Sequence, residues 1–274
     1  MKKSTKQTIL AAAVLAALTP IAFAAVDARL TVRRYAVESG QIASPVRLAV
    51  LTDLHSCAYG PGQRELLEAI YGEEVDAVAL VGDIVDDKLP EENAWTTVSV
   101  LSARYPCYYV TGNHEWRGGE AERICEQMGE LGVTVLRGDG ASLTVGETTI
   151  RLWGVDDPDS GLYETQWAAL GNSVKEDTFT VLLSHRPERI EEYLRLPFDL
   201  ILSGHAHGGQ WRLPGLINGL VAPHQGLFPA YAGGRYEFDG TVFLVSRGLA
   251  RENIRVPRIF NRPELLVVEL TPEL

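Results

Sequence analysis

From Arg47 onward, short apolar runs alternate with longer stretches in which apolar residues recur every three or four positions. Arg47–Thr52, Ala77–Val81 and Cys107–Thr111 are brief, continuous and each followed by a polar cluster, which predicts buried strands. Gln63–Tyr71, Glu91–Arg104 and Glu120–Leu131 carry helical spacing, the last closed by Gly132. The second half is richer in strand patterns, at Ser142–Val145, Thr149–Gly154, Thr178–Ser184, Leu200–Ser203, Thr241–Ser246 and Leu265–Leu270. Gly146-Glu147 is a two-residue turn candidate between the first two of these. No repeat or Pro/Ser linker divides the chain. One α/β domain, with a mixed sheet or two packed sheets, is therefore expected.

The beginning of the chain follows another pattern. Lys2, Lys3 and Lys6 precede an apolar run from Ile9 to Leu18, then Pro20 and the small-x-small triplet Ala22-Phe23-Ala24. These are the parts of a secretory signal peptide cleaved after Ala24, which leaves residues 25–274 as the domain and places it in the periplasm, outside the cell or in the cell envelope. The rival is an uncleaved membrane anchor, because the segment from Ile9 to Val26 is just long enough to span a bilayer. A buried N-terminal helix fits least, since no polar residue alternates with the apolar ones. In an oxidising compartment Cys107 and Cys125 are a conceivable bridge. Three cysteines leave at least one unpaired, and small buried hydrophobes are the competing reading for Cys57, Cys107 and Cys125.

Composition adds one constraint. The 274 residues are 46% hydrophobic and 22% charged, ordinary for a globular protein, and carry a net charge of −11. Setting aside residues 1–24, which hold three lysines and no acid, makes the rest more negative still. Such a body repels a phosphate backbone, so specific nucleic-acid binding is not expected. An anionic substrate needs positive charge supplied locally.

The chemistry-bearing residues supply a candidate for it. Five of the six histidines fall in polar clusters that follow predicted strands: Asp53-Leu54-His55, Gly112-Asn113-His114-Glu115, Ser184-His185 and Gly204-His205-Ala206-His207, with Gly82-Asp83 and Asp86 as a further cluster of this kind. In open α/β sheets, ligands bind outside the strand carboxyl ends, so these clusters converge if the strands share a core. Positions i and i+2 of an extended segment point to one side, which pairs Asp53 with His55 and His205 with His207. Imidazole and carboxylate suit zinc, iron or manganese, and the lack of cysteine argues against a structural thiolate zinc site. Asp53, His55, Asp83, Asn113, His185, His205 and His207 exceed the needs of one four-coordinate ion. Two ions sharing a carboxylate use them fully, with Asp83 as the natural bridge.

These blocks, in this order and with about thirty residues between the first three, resemble the signature of the calcineurin-like metallophosphoesterases. The resemblance runs from about Arg47 to the C-terminus. It implies a four-layer α/β/β/α fold with two mixed β-sheets and a centre of two divalent ions. One ion would be held by Asp53, His55, Asp83 and His207, the other by Asp83, Asn113, His185 and His205. His114 would contact the substrate or protonate the leaving oxygen, oriented by Asp86 or Glu115. A hydroxide bridging the two ions would attack a phosphodiester, and the ions would supply the positive charge the acidic body lacks.

Gly208-Gly209-Gln210-Trp211-Arg212-Leu213-Pro214, Ser246-Arg247-Gly248-Leu249 and Arg262-Pro263-Glu264 are similar to the exported or membrane-associated phosphodiesterase branch of that family. This branch includes cell-wall-associated enzymes and a UDP-diacylglucosamine pyrophosphohydrolase type. The resemblance thus implies a phosphate-ester substrate, a lipid or cell-envelope component among the candidates, and a membrane surface as a possible partner. A pyrophosphohydrolase of a nucleotide-linked lipid or sugar is the alternative activity. A non-catalytic metal-binding scaffold is the third reading, disfavoured because every ligand position and His114 are present. His224 belongs to no block and reads as a loop residue rather than a ligand, with a substrate contact as the alternative. Arg247, Arg251, Arg255, Arg258 and Arg262 read as carboxylate partners, with an anionic headgroup as the sharper alternative.

Overall fold

The computed structural model describes residues 12, 16, 18–174, 178–251 and 257–273. The apolar run of the leader lies largely outside the described residues, as does Arg255. The first described helix, α1, covers residues 18–25. No helix among the described residues is long and apolar enough to cross a membrane.

Two six-stranded sheets make the body. The first has the order β1 (Thr31–Ser39), β14 (Glu264–Pro272), β2 (Val46–Leu51), β3 (Ala77–Val81), β4 (Cys107–Val110) and β5 (Thr134–Val135). The second runs β12 (Gly234–Phe238), β13 (Thr241–Val245), β9 (Leu200–Ser203), β8 (Thr180–Leu183), β7 (Thr148–Gly154) and β6 (Asp139–Val145). Both are mixed: β2 to β5 are parallel with β14 antiparallel to β2, while β7, β8, β9 and β13 are parallel with antiparallel β6 and β12 at the edges.

Alternation along the strands builds three apolar layers between four structural ones. Leu48, Val50, Ala79, Val81 and Val110 of the first sheet meet Leu152, Val181, Leu183 and Leu202 of the second. On the outer face of the first sheet, Ala49, Leu51, Val78 and Leu80 pack against α2 (Arg64–Tyr71), α3 (Glu92–Ser102) and α5 (Ala121–Glu130). Leu182, Ile201 and Phe243 on the far side of the second sheet are covered by α6 (Tyr163–Ser173) and α7 (Ile190–Tyr193). The α/β/β/α sandwich implied by the motif resemblance is therefore present.

Gly146-Glu147 joins β6 to β7, with Val145 opposite Thr148 and Gly146 at φ 56°, as a two-residue turn between antiparallel strands requires. Of the two readings of the cysteines, small buried hydrophobes is the one the structure has: no disulfide joins Cys57, Cys107 and Cys125, and all three are buried. Cys107 lies on β4 and Cys125 on α5, both within the apolar layer on the outer face of the first sheet.

Candidate metal centre

Parallel pairing sends the carboxyl ends of β2, β3 and β4 to one edge of the first sheet, and those of β8 and β9 to one edge of the second. The polar clusters of the sequence are the turns that leave these strands. Two hydrogen bonds zip the first pair of turns together, from Asp53 N–H to Gly82 O at 3.0 Å and from His55 N–H to Asp83 O at 2.9 Å. His205 N–H reaches across from the second sheet to the Asp53 carboxylate at 3.0 Å.

The backbone is constrained here to an uncommon degree. Asp53, His55, Asp83, His205 and His207 all lie in the left-handed region, with φ between 47° and 65°. Such conformations cost of order 1–3 kcal/mol each and persist where the surroundings impose them. Glycine next to the carboxylates is a steric requirement. A Cβ on Gly112 would collide with the Asp83 carboxylate and backbone nitrogen, and one on Gly204 would stand 2.6 Å from Asp53 Oδ2.

Four side-chain groups among the described residues have a geometry that can hold a metal ion; His55 with Asp86 and His114, and His205 with Glu188 and His224, are two of them, and the motif residues build the other two. Asp53, His55 and His207 converge in one, and Asp83, His185 and His205 in the other, each with a geometry that can hold a metal ion. Asp83 lies between them, its Oδ2 being 3.1 Å from His185 Nε2 and 3.6 Å from His55 Nε2. Asp53 Oδ1 is 3.6 Å from His207 Nε2. Asn113 begins α4 (Asn113–Arg117), whose His114 N–H donates to Asp83 Oδ1 at 2.8 Å. The structure thus gathers all seven residues singled out by the motif reading at one rim.

The fit of this donor set to divalent ions rests on atoms left without a hydrogen bond. His55 Nε2, Asp83 Oδ2, Asn113 Oδ1, His185 Nε2 and His207 Nδ1 are all buried and none makes a well-formed hydrogen bond, although Asp83 Oδ2 and His185 Nε2 stand 3.1 Å apart as an ion pair. Each such atom costs roughly 1–3 kcal/mol. Five at one rim, offering lone pairs from imidazole, carboxylate and carboxamide, are the donor chemistry of a metal centre. Their outer partners orient them. His55 Nδ1 is 3.0 Å from Asp86 Oδ2, and His185 Nδ1 donates to Val81 O at 2.9 Å.

Electrostatics separates the histidines. Burial opposes a charged His185, but Asp83 outweighs it and raises the imidazole to about 10. Burial opposes a charged Asp83 too, yet His185 and His55 hold its carboxyl well below the usual range. His205 and His207 are pushed down, first by burial, then by cationic or imidazole neighbours, and stay neutral with a lone pair to give.

His114 sits at the open side, its ring centroid 4.3 Å from that of His55. Its Nδ1 lies 2.7 Å from Asp87 Oδ1 and 3.4 Å from Asp86 Oδ2. Burial works against its charge, but the hydrogen bond it donates to Asp86 and the charges of Asp83, Asp87 and Asp86 raise it to about 9. The expected role of Glu115 as an orienter of His114 is corrected. Its carboxylate instead accepts the backbone N–H groups of Gly112, Asp83, Ile84 and Val85.

Sequence reasoning missed Asp87 and Arg186, each immediately following a recognised block residue. Arg186 is buried, bonded to both oxygens of Asp157 and to the ring of His224. His224 lies in a loop, as expected, in the turn between Ala222 and Gly226, and its Nδ1 is 2.8 Å from His205 Nε2. Arg247, Arg251 and Arg262 pair with Glu264, Glu65 and Asp27, as the carboxylate reading expected. Arg258 is buried and donates to Gly248 O.

Carboxylate–imidazole groups at the shared rim of a two-sheet sandwich define a metal-dependent hydrolase. The chain belongs to the Calcineurin-like phosphoesterase family, whose profile matches residues 46–209. It is 27% identical over 234 residues to the phosphodiesterase YaeI of Escherichia coli, covering 83% of each chain. It is 26% identical over 222 residues to the metallophosphoesterase YkoQ of Bacillus subtilis, covering 78% of this chain and 80% of that one. Among solved structures, the phosphopantetheinyl hydrolase PptH of Mycobacterium tuberculosis superposes with a TM-score of 0.50 at 14% identity, over 80% of this chain and 96% of that one. TT1561 of Thermus thermophilus gives 0.52 at 12%, over 76% and 92%. At such identities these two structures speak for the fold.

Proposed function

We propose that this metallophosphoesterase is an exported phosphodiesterase with a two-ion centre. Asp53, His55, Asp83 and His207 hold one ion, and Asp83, Asn113, His185 and His205 the other. When bound, two divalent ions of manganese, iron or zinc supply Lewis-acid activation of water and neutralise the phosphoryl oxygens. The observation that carries this reading is the set of five buried donor atoms at the rim that make no well-formed hydrogen bond. His114 gives its proton to the leaving ester oxygen. Asp87 and Asp86 orient its ring through Nδ1, and Nε2, 3.4 Å from Arg117 Nη1, is the nitrogen that meets the substrate. A general acid of this kind contributes roughly 10²–10⁴-fold, most for the poor leaving group of a diester.

Assaying the full chain with Mn²⁺ on bis-p-nitrophenyl phosphate and p-nitrophenyl phosphate tests this. Hydrolysis of the diester, abolished by chelator and by Asp83→Ala, is expected. Diester hydrolysis indifferent to both contradicts the assignment.

A second reading, a pyrophosphohydrolase of a nucleotide-linked lipid or sugar acting at a membrane surface, is favoured by the distribution of exposed apolar side chains. Trp211, Leu213, Leu216, Leu227 and Phe228 are exposed on the segment that follows His207, and Leu18, Ile21 and Phe23 on α1. Backbone bonds bring the two segments to neighbouring positions, since Phe260 N–H donates to Ala25 O at 2.7 Å and Arg212 N–H to Ile259 O at 2.9 Å. A lipid headgroup held at that surface would lie close to the rim. Faster turnover of a UDP-linked lipid in vesicles than of the aryl diester would favour this reading. Export is supported by the leader pattern of residues 1–24. Cell fractionation with N-terminal sequencing tests it, with a mature start at Ala25 expected for the exported phosphodiesterase and an uncleaved leader for the membrane-surface reading.

A further inference from the structure

We infer that His224 is a positioning residue that fixes the tautomer and orientation of His205, one of the side chains proposed to hold the second ion. The inference rests on that proposed ligand set.

His224 stands at the tip of a two-stranded hairpin, between β10 (Val221–Ala222) and β11 (Gly226–Leu227). Its backbone has φ 58°, a left-handed conformation unusual for a non-glycine residue. Gln225 braces the tip, its amide bonding to both the carbonyl and the N–H of Tyr231 at 3.0 and 2.9 Å.

One nitrogen of His224 makes two contacts. Nδ1 lies 2.8 Å from Arg186 Nη1 and 2.8 Å from His205 Nε2. A guanidinium has donors only, so Nδ1 of His224 is the acceptor and carries no proton. His205 must then supply the hydrogen from its own Nε2. In a neutral imidazole this leaves the lone pair on Nδ1. His205 is also the member of the group with Asp83 and His185, so that free nitrogen is the one available to an ion.

The donor that sets this chain of tautomers is itself immobilised. Arg186 has a side chain only 4% exposed, with Nη2 bonded to Asp157 at 2.8 Å and to Asp159 at 3.1 Å and Nη1 near Glu188 at 3.4 Å. Glu188 also lies 3.9 Å from His224 Nδ1, too far to replace the imidazole contact. Asp157, Arg186, His224 and His205 thus form one row of hydrogen bonds ending at the rim, with Arg186 donating to both of its neighbours and His224 accepting from both of its own. Outer partners of a metal-binding histidine typically change metal affinity by about 10–100-fold when removed.

The test uses the full chain, stripped of metal and titrated with Mn²⁺. Two ions per chain are expected for the native protein, and loss of the weaker or stronger of them in His205→Ala. His224→Phe, which removes the acceptor, should weaken that same ion about 10–100-fold and leave the other unchanged. His224→Asn places Oδ1 near the position of Nδ1, tolerates the left-handed backbone and should restore most of the affinity. A His224→Phe chain that binds both ions like the native protein, while His205→Ala does not, overturns the inference and spares the ligand set. Unchanged binding in His205→Ala overturns both. Long-range ¹H–¹⁵N spectra of the native protein give a check free of substitution: the His205 proton is expected on Nε2, and a proton on Nδ1 contradicts the inference.

Discussion

Glu115 holds Asp83 by its backbone. Glu115 Oε2 accepts the Asp83 N–H at 3.1 Å and the Gly112 N–H at 2.9 Å, while Oε1 accepts those of Ile84 and Val85 at 2.8 and 3.2 Å. One buried carboxylate thereby joins the turns after β3 and β4, and Asp83 is placed by the chain around it. Glu115→Gln keeps one acceptor oxygen but turns an NH₂ group against two of the four donors. We expect a loss of roughly 2–4 kcal/mol, from one to two buried N–H groups left unsatisfied. Urea unfolding with and without Mn²⁺ measures it, and a midpoint within error of the native protein would contradict this role.

Gly112 and Gly119 make a matched pair. A Cβ at Gly112 meets the Asp83 carboxylate and backbone nitrogen, whereas one at Gly119 meets nothing within 4 Å. Gly119 has φ 75°, so alanine there pays only the left-handed backbone cost of about 1–2 kcal/mol. Gly112→Ala should lose metal binding as well as stability, and Gly119→Ala should keep its ions. Metal content of the two purified variants decides.

How far the sequence carried this picture depends on the kind of signal. The buried parallel strands β2, β3, β4 and β9 were legible because each is a continuous apolar run ending in a polar cluster, and their bounds agree with the pattern to within a residue. β1 was not, because it is an edge strand on which Arg33, Arg34 and Glu38 interrupt the apolar residues. α6 was also missed: its apolar side chains Tyr163, Trp167 and Leu170 are interspersed with polar residues and with Ala168, Ala169 and Gly171, so no clear stripe appears. At the rim, the strand-end clusters identified which residues meet. The work of Glu115 on four backbone donors, of Asp87 on His114 and of His224 on His205 depends on contacts across turns distant in sequence. No local pattern encodes those.

His114 and Asp87 separate chemistry from metal binding. His114→Ala should lower diester turnover by roughly 10²–10⁴-fold. Asp87→Asn, which weakens the 2.7 Å contact to Nδ1, should have a smaller effect. Both should retain the ion content of the native protein, because neither belongs to the proposed ligand set. Activity against a substrate with an activated leaving group should fall less than against an alkyl diester. Equal losses on both substrates would argue against proton transfer by His114.

Acid should loosen the segment that leads into β1. The side-chain and backbone N–H groups of Arg29 hold the Asp27 carboxyl well below its ordinary value, aided by Arg262. A depressed folded value means that the stabilisation is present above the unfolded carboxylate value of about 3.9 and disappears as pH falls below it. Arg29 is 80% exposed, so solvent screening keeps the contribution small. Amide protection factors at residues 26–31 should fall as pH drops below about 3.9 in the native protein more than in Asp27→Asn. The same response in both would contradict the assignment.

The central claim is that the rim binds a pair of ions bridged by Asp83. Elemental analysis of the folded full chain, reconstituted with manganese, iron or zinc and freed of excess metal, tests it most directly. Two ions per native chain are predicted, falling in Asp83→Ala. A well-folded native chain that retains no ion under any of the three metals would contradict the account.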